Sequence, residues 1–143
     1  MYTFLINEDN SLTASVVDRI MERSKLVDNL HFLVDPTYKN MDMTDFTVTL
    51  EYVLPVSKRY KTEILQQSEE LYKNKLEYFL PFDTNLTSEA GDIEIQLTFT
   101  NVTMDAQGKP TQYVRKVGPG VIHIASISDW SAMIPDDALT ALD

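Results

Sequence analysis

Asp92-Ile93-Glu94-Ile95-Gln96-Leu97-Thr98-Phe99-Thr100 alternates strictly between polar and apolar side chains. Successive side chains of an extended chain point to opposite faces. Ile93, Ile95, Leu97 and Phe99 therefore line one face, and Asp92, Glu94, Gln96, Thr98 and Thr100 the other. Only a strand with one dry and one wet face sorts the residues this way. Phe46-Thr47-Val48-Thr49-Leu50-Glu51-Tyr52-Val53-Leu54 repeats the pattern and stops at Pro55, which has no amide to donate to a ladder. These two strands make the chain a β protein.

Shorter alternating or apolar runs lie at residues 2–6, 30–34, 58–65, 76–80, 113–117 and 121–125. Asp105-Ala106-Gln107-Gly108-Lys109 separates two of the runs, and Gly108 takes a positive φ at little cost, so a hairpin is expected there. A second hairpin or corner is expected between Pro55 and Lys58-Arg59-Tyr60-Lys61-Thr62. Residues 13–25 fit a helix, through the spacing of Val16, Val17, Ile20 and Met21, or a strand, through the β-branched pair. Val117-Gly118-Pro119-Gly120-Val121 lacks the Lys-Ser/Thr of a phosphate loop and reads as a turn between strands.

The carboxyl end differs. In Pro135-Asp136-Asp137-Ala138-Leu139-Thr140-Ala141-Leu142-Asp143 either aspartate can cap a helix, and good helix formers follow. About two turns do not persist alone in water. The expected architecture is thus all-β: an antiparallel β-sandwich of about eight strands over residues 1–133, with residues 134–143 as a short C-terminal helix. That helix either docks on the sandwich or starts a helical stem, in which Leu139 and Leu142 would form an a/d-like seam.

A chain of 143 residues suits one domain, and the absence of Cys excludes disulfides, thiolate metal sites and a cysteine nucleophile. No segment has the roughly 18 consecutive apolar residues of a membrane helix, and the first residues lack a signal-peptide pattern. Lys+Arg 12 against Asp+Glu 22 leaves a formal charge of −10, which repels phosphate backbones and anionic lipid. Neither nucleic acid nor membrane is an expected partner.

The search for reactive groups returns no catalytic constellation. His31 and His123 each sit between apolar neighbours on the alternate face of an expected strand, which reads as a surface position, and their removal is expected to leave stability nearly unchanged. Asp83, Asn85, Thr87 and Glu94 occupy oxygen-ligand positions of a calcium loop. The sixth position is Ser88 instead of Gly and the flanks read as strands, so a loop entering a hairpin accounts for the same residues. No metal, no cofactor and no enzymatic activity is expected. Arg115-Lys116 and Lys58-Arg59-Tyr60-Lys61 are basic clusters that either meet an acidic partner or guard strand edges. Trp130, beyond the last strand, is the candidate exposed anchor.

Met43-Thr44-Asp45-Phe46-Thr47-Val48-Thr49-Leu50 resembles the first core strand of N-terminal domains of tailed-bacteriophage structural proteins, of the baseplate upper protein and head fibre types. Leu80-Pro81-Phe82-Asp83 and Leu86-Thr87, followed by Ala90-Gly91-Asp92-Ile93-Glu94-Ile95-Gln96-Leu97, resemble their later strand pair. Tyr113-Val114-Arg115-Lys116, Trp130 and Ile134-Pro135-Asp136 resemble their run-out from sandwich to coil, so the similarity spans residues 43–143. The long polar stretch at residues 66–75 departs from the baseplate type, where a tight turn is usual.

The resemblance implies a virion component, made in the host bacterial cytoplasm, that docks on a capsid, tail or baseplate lattice as a decoration, fibre or baseplate part. Its partners would be other virion proteins and further copies of itself. Trp130, Arg115, Lys116, Leu139 and Leu142 are the candidate contact residues. The alternative is a carbohydrate-binding module of a phage adhesin apparatus, which needs several aromatic rings exposed together.

Overall fold

The computed structural model describes residues 1–128 together with Trp130, Met133 and Ile134. Among them are strands β1 (Tyr2–Ile6), β2 (Leu12–Val16), β3 (Ile20–Met21), β4 (Asn29–Val34), β5 (Thr37–Tyr38) and β6 (Met41–Asp42). They continue with β7 (Thr47–Val53), β8 (Tyr60–Ile64), β9 (Gln66–Gln67), β10 (Leu76–Pro81), β11 (Gly91–Met104) and β12 (Pro110–Ala125). A one-turn helix, α1 (Thr84–Thr87), lies between β10 and β11. The helix expected beyond Pro135, with Leu139 and Leu142, lies outside the described residues.

The all-β class holds, and the strands make two five-stranded sheets, β2-β1-β4-β10-β9 and β3-β12-β11-β7-β8, plus a β5-β6 ribbon. The strand count exceeds the expected about eight because β3, β5, β6 and β9 are only two residues long, too short to show a period. The sheets are also not purely antiparallel: β1 pairs with β4, and β12 with β3, in parallel. The chain leaves the first sheet after β2, adds β3 to the second, and returns as β4 beside β1 in the same direction. Residues 13–25 are therefore strand and loop, not helix.

One apolar core joins the two sheets. Val48, Leu50 and Tyr52 of β7, with Ile93, Ile95, Leu97 and Phe99 of β11, supply one wall, and Ile122 and Ile124 of β12 extend it. Phe46 and Leu54 are buried with them, so the apolar faces of both alternating segments lie inside. Tyr2 and Phe4 of β1, Phe32 of β4 and Tyr78 of β10 supply the facing wall, where Phe4 stacks on Phe32 at 5.6 Å between centroids. Tyr78 meets Phe99 edge-on at 6.0 Å, tying wall to wall. Phe82 and Leu86, both fully enclosed, join the same core from the β10–α1 segment.

The segment from Val117 to Val121 is not a turn. β12 runs through it as one strand, with Ile95 opposite Gly120 and Leu97 opposite Val117, so two residues of β12 face Gln96 alone. This bulge turns the Gly118 amide toward the β1–β2 turn, where it donates to the Asn10 carbonyl at 2.9 Å. Gly118 has φ +130, and a Cβ there would stand 3.1 Å from Gln96 Cα and 3.2 Å from the Ile95 carbonyl oxygen. Gly118→Ala is expected to cost about 1–3 kcal/mol, measured by urea unfolding, since both backbone strain and a backbone contact oppose the methyl.

Candidate docking surfaces

Arg115 follows Val114 on β12, and alternation places it on the inner side, opposite Phe99. It is 8% exposed, so it neither guards an edge nor faces a partner, as the sequence suggested. Its guanidinium carbon lies 3.7 Å from the centre of the Tyr38 ring and 5.6 Å from that of Phe99. Nε donates to Asn10 Oδ1 at 2.8 Å, and Nη2 to the Asn7 carbonyl at 3.2 Å. Asn10 in turn donates to the Tyr38 hydroxyl at 3.1 Å. Burial pushes the guanidinium pKa down from its ordinary value. The group staples the β1–β2 turn and the β5–β6 ribbon to the second sheet.

Its neighbour Lys116 points the opposite way and is exposed. Its ammonium donates to Thr98 Oγ1 at 3.0 Å and lies 3.5 Å from Glu51 Oε1, which also accepts from the Thr98 hydroxyl and from Gln96. These hydrogen bonds draw the Glu51 carboxyl below its ordinary range, Thr98 contributing most. A solvated cross-strand ladder of this kind adds little stability, and Lys116 stays available at the surface.

His123 is exposed beside Asp92, as its strand position implies, but His31 is not a surface residue. Its side chain is 4% exposed, with Nδ1 3.1 Å from Thr3 Oγ1 and Nε2 2.6 Å from Glu77 Oε2. Only the imidazole can donate to an ionised carboxylate, so Nε2 carries the proton. The reason lies in residues 66–75, the stretch too long for a tight turn. That stretch packs over the outer face of the first sheet, setting the Tyr72 ring edge-on to His31 at 5.7 Å. Ser68 donates to Glu77 Oε1 at 2.6 Å, and Lys75 pairs with Asp35 at 2.6 Å. His31→Ala is thus not neutral, because it strips Thr3 and Glu77 of a partner.

The Ser68 hydroxyl, and after it His31, holds the Glu77 carboxyl below its ordinary range. A carboxyl with a depressed native pKa stabilises fully above that range and loses its contribution as pH falls through the native value. The melting-temperature gap between the native chain and Glu77→Gln is therefore expected to close on acidification below the usual carboxylate range.

The calcium-loop residues are committed elsewhere. Asp83 caps α1, accepting from the Asn85 amide at 2.9 Å, and the Thr87 hydroxyl donates to the Ser24 carbonyl at 2.6 Å. Glu94 lies on the exposed face of β11.

Among the surfaces that present apolar side chains to solvent, two lie at and beyond β12. The first follows β12: Trp130, Met133 and Ile134 are 68%, 84% and 43% exposed, and Arg23 Nη2 donates to the Ile134 carbonyl at 2.8 Å. The second is the β11–β12 hairpin, which runs past Thr100, the last residue paired with β7, to Met104 and Pro110. Val102, Met104 and Val114 share one exposed face of it, by the alternation of paired residues. The hairpin surface was missed in the sequence because its alternation says nothing about where neighbouring strands end. Leu139 and Leu142 fall outside the described residues.

No family model matches the sequence, and no curated protein matches it. Among solved structures the chain is similar to the N-terminal domain of phage TP901-1 ORF48, with a TM-score of 0.44 and 11% identity, over 89% of this chain and 96% of that one. A superposition of that quality at that identity carries no weight for role.

Proposed function

We propose that the chain is a structural docking module of a bacteriophage virion, attaching to a capsid, tail or baseplate lattice by surface complementarity and acting by binding, not catalysis. The observation that carries a docking role is the exposed Trp130, Met133 and Ile134 segment, fixed to the domain by Arg23 at Ile134. A large aromatic held outside its own core is what an interface anchor requires. The likeness of residues 43–143 to phage structural domains supports the virion as the setting. Many weak copies on a symmetric lattice then add avidity to a modest single contact.

The carbohydrate reading needs clustered rings. Exposed Tyr60, Tyr72, Tyr113 and Trp130 sit on β8, the 66–75 stretch, the long hairpin and the tail, and none of them stacks on another among the described residues. Trp130→Ala separates the two. The docking reading expects incorporation into particles to fall, by about 2 kcal/mol or more of binding, with no glycan bound by either form. Loss of binding to cell-wall glycans with intact incorporation would establish the carbohydrate role instead.

A further inference from the structure

β8 is the outer strand of its sheet, and among the described residues no strand lies along its free side. It pairs with β7 so that Lys61 opposes Tyr52 and Glu63 opposes Leu50. The Leu54 amide donates to the Arg59 carbonyl at 3.0 Å and the Leu65 amide to the Val48 carbonyl at 2.9 Å. In an antiparallel ladder hydrogen-bonded residues alternate, so 59, 61, 63 and 65 turn their backbone groups to β7. The N–H and C=O groups of Tyr60, Thr62 and Ile64 therefore face away from the sheet.

Edges of this kind are normally blunted by charge, proline, a bulge or a cover. Lys61 and Glu63 point inward, a device that guards an edge against any strand that does not bring the opposite charges: Lys61 Nζ reaches Asn85 Oδ1 at 3.5 Å, and Glu63 Oε2 accepts from the Tyr52 hydroxyl at 3.1 Å. The face flanking the open ladder carries Tyr60 and Ile64, 85% and 69% exposed.

Tyr60-Lys61-Thr62-Glu63-Ile64 is complementary to its own reverse. Laid antiparallel on a second copy with Thr62 opposite Thr62, each Tyr60 meets the other copy's Ile64, an aromatic against a β-branched side chain. Each Lys61 meets the other copy's Glu63. Opposed residues in such a ladder stand about 4.5–5.5 Å apart at Cβ, and both kinds of pair are favourable. The outward N–H and C=O groups fall in the hydrogen-bonding positions.

We propose that β8 is a homodimerisation edge, pairing antiparallel with β8 of a second copy about a twofold axis through Thr62. The two sheets then continue as one ten-stranded sheet. A twofold pairing occupies the β8 edge of both copies, so it closes at two. Burial and the charge of Asp83 push the Glu63 carboxyl above its ordinary range, against the hydrogen bonds of Tyr52 and Asn85 and the charge of Lys61. Pairing would add the ammonium of the facing strand beside it. Five residues per copy cover far less than the roughly 800 Å² a side of a standard interface, so the dimer is weak and concentration-dependent. The pairing does not depend on the virion reading.

Sedimentation equilibrium over a dilution series of the full chain tests it. The native chain is expected to move from one mass toward two as concentration rises. Lys61→Glu and Glu63→Lys each place like charges opposite one another twice per dimer and are expected to weaken it about tenfold. An equal mixture of the two variants, or the double variant, restores the opposite charges and is expected to recover the native association. Thr62→Pro, which removes an outward amide without touching the β7 ladder, is expected to abolish dimers while leaving the circular dichroism spectrum unchanged. A monomer at every concentration, or charge variants that weaken association but fail to recover on mixing, would overturn the proposal.

Discussion

Leu97→Ala is expected to lower the unfolding free energy by about 2–5 kcal/mol. Leu97 is fully buried and sits at the middle of the central strand β11, opposite Leu50 on β7 and Val117 on β12. Both flanking strands are fixed by their own ladders, so neither can shift far to fill the space. The transfer cost of the lost methyl groups and the cost of the remaining cavity therefore add. Urea unfolding followed by tryptophan-independent circular dichroism should show a lower midpoint with an unchanged slope. A loss under about 1 kcal/mol would mean that the two sheets do not close on β11 as described.

Arg115→Ala is expected to cost about 2–4 kcal/mol, although it removes a charged residue from a strand. The change empties the space beneath Tyr38, leaves Asn10 Oδ1 without its donor and takes from the Asn7 carbonyl one of two, the Asn10 amide remaining. Arg115→Lys should recover little, since an ammonium cannot lie flat on the ring while donating in two directions. Lys116→Ala, one residue on, is expected to change stability by less than about 0.5 kcal/mol because its partners remain solvated. The contrast between adjacent basic residues is read by thermal unfolding of the three variants. Equal losses at 115 and 116 would contradict the inward placement of Arg115.

The same contrast marks where sequence reading succeeds and fails. β7 and β11 are long enough to show period two, and the core they predict is the core observed. Arg115 was open to the same reading, because it shares its face with Val117 and opposes Phe99. Basic character drew the reading toward solvent. What the sequence does not carry is the stacked ring on which the guanidinium rests, contributed by Tyr38 from a remote two-residue strand. His31 failed for a parallel reason: its own strand gives it an outward face, and a segment some forty residues later covers that face.

Glycine and proline at 118–120 fit a turn by residue type. A bulge uses the same residues, with Gly118 supplying a positive φ inside a continuing strand. Local chemistry alone does not separate these cases, because the deciding contact is the Asn10 carbonyl on the other sheet. The tail is legible as an exposed aromatic followed by a helix start. The exposure of Met133 and Ile134 beside it and the tie of Ile134 to Arg23 are tertiary facts.

Density-gradient purification of particles from the producing host, with the chain followed by quantitative mass spectrometry and by labelling in negative-stain images, tests the docking role most directly. The chain is expected to band with particles at a constant copy number, with the label at a fixed, symmetry-related site on capsid, tail or baseplate. Recovery of the chain solely from the soluble fraction, with particles of full composition lacking it, would rule out a docking role in the virion.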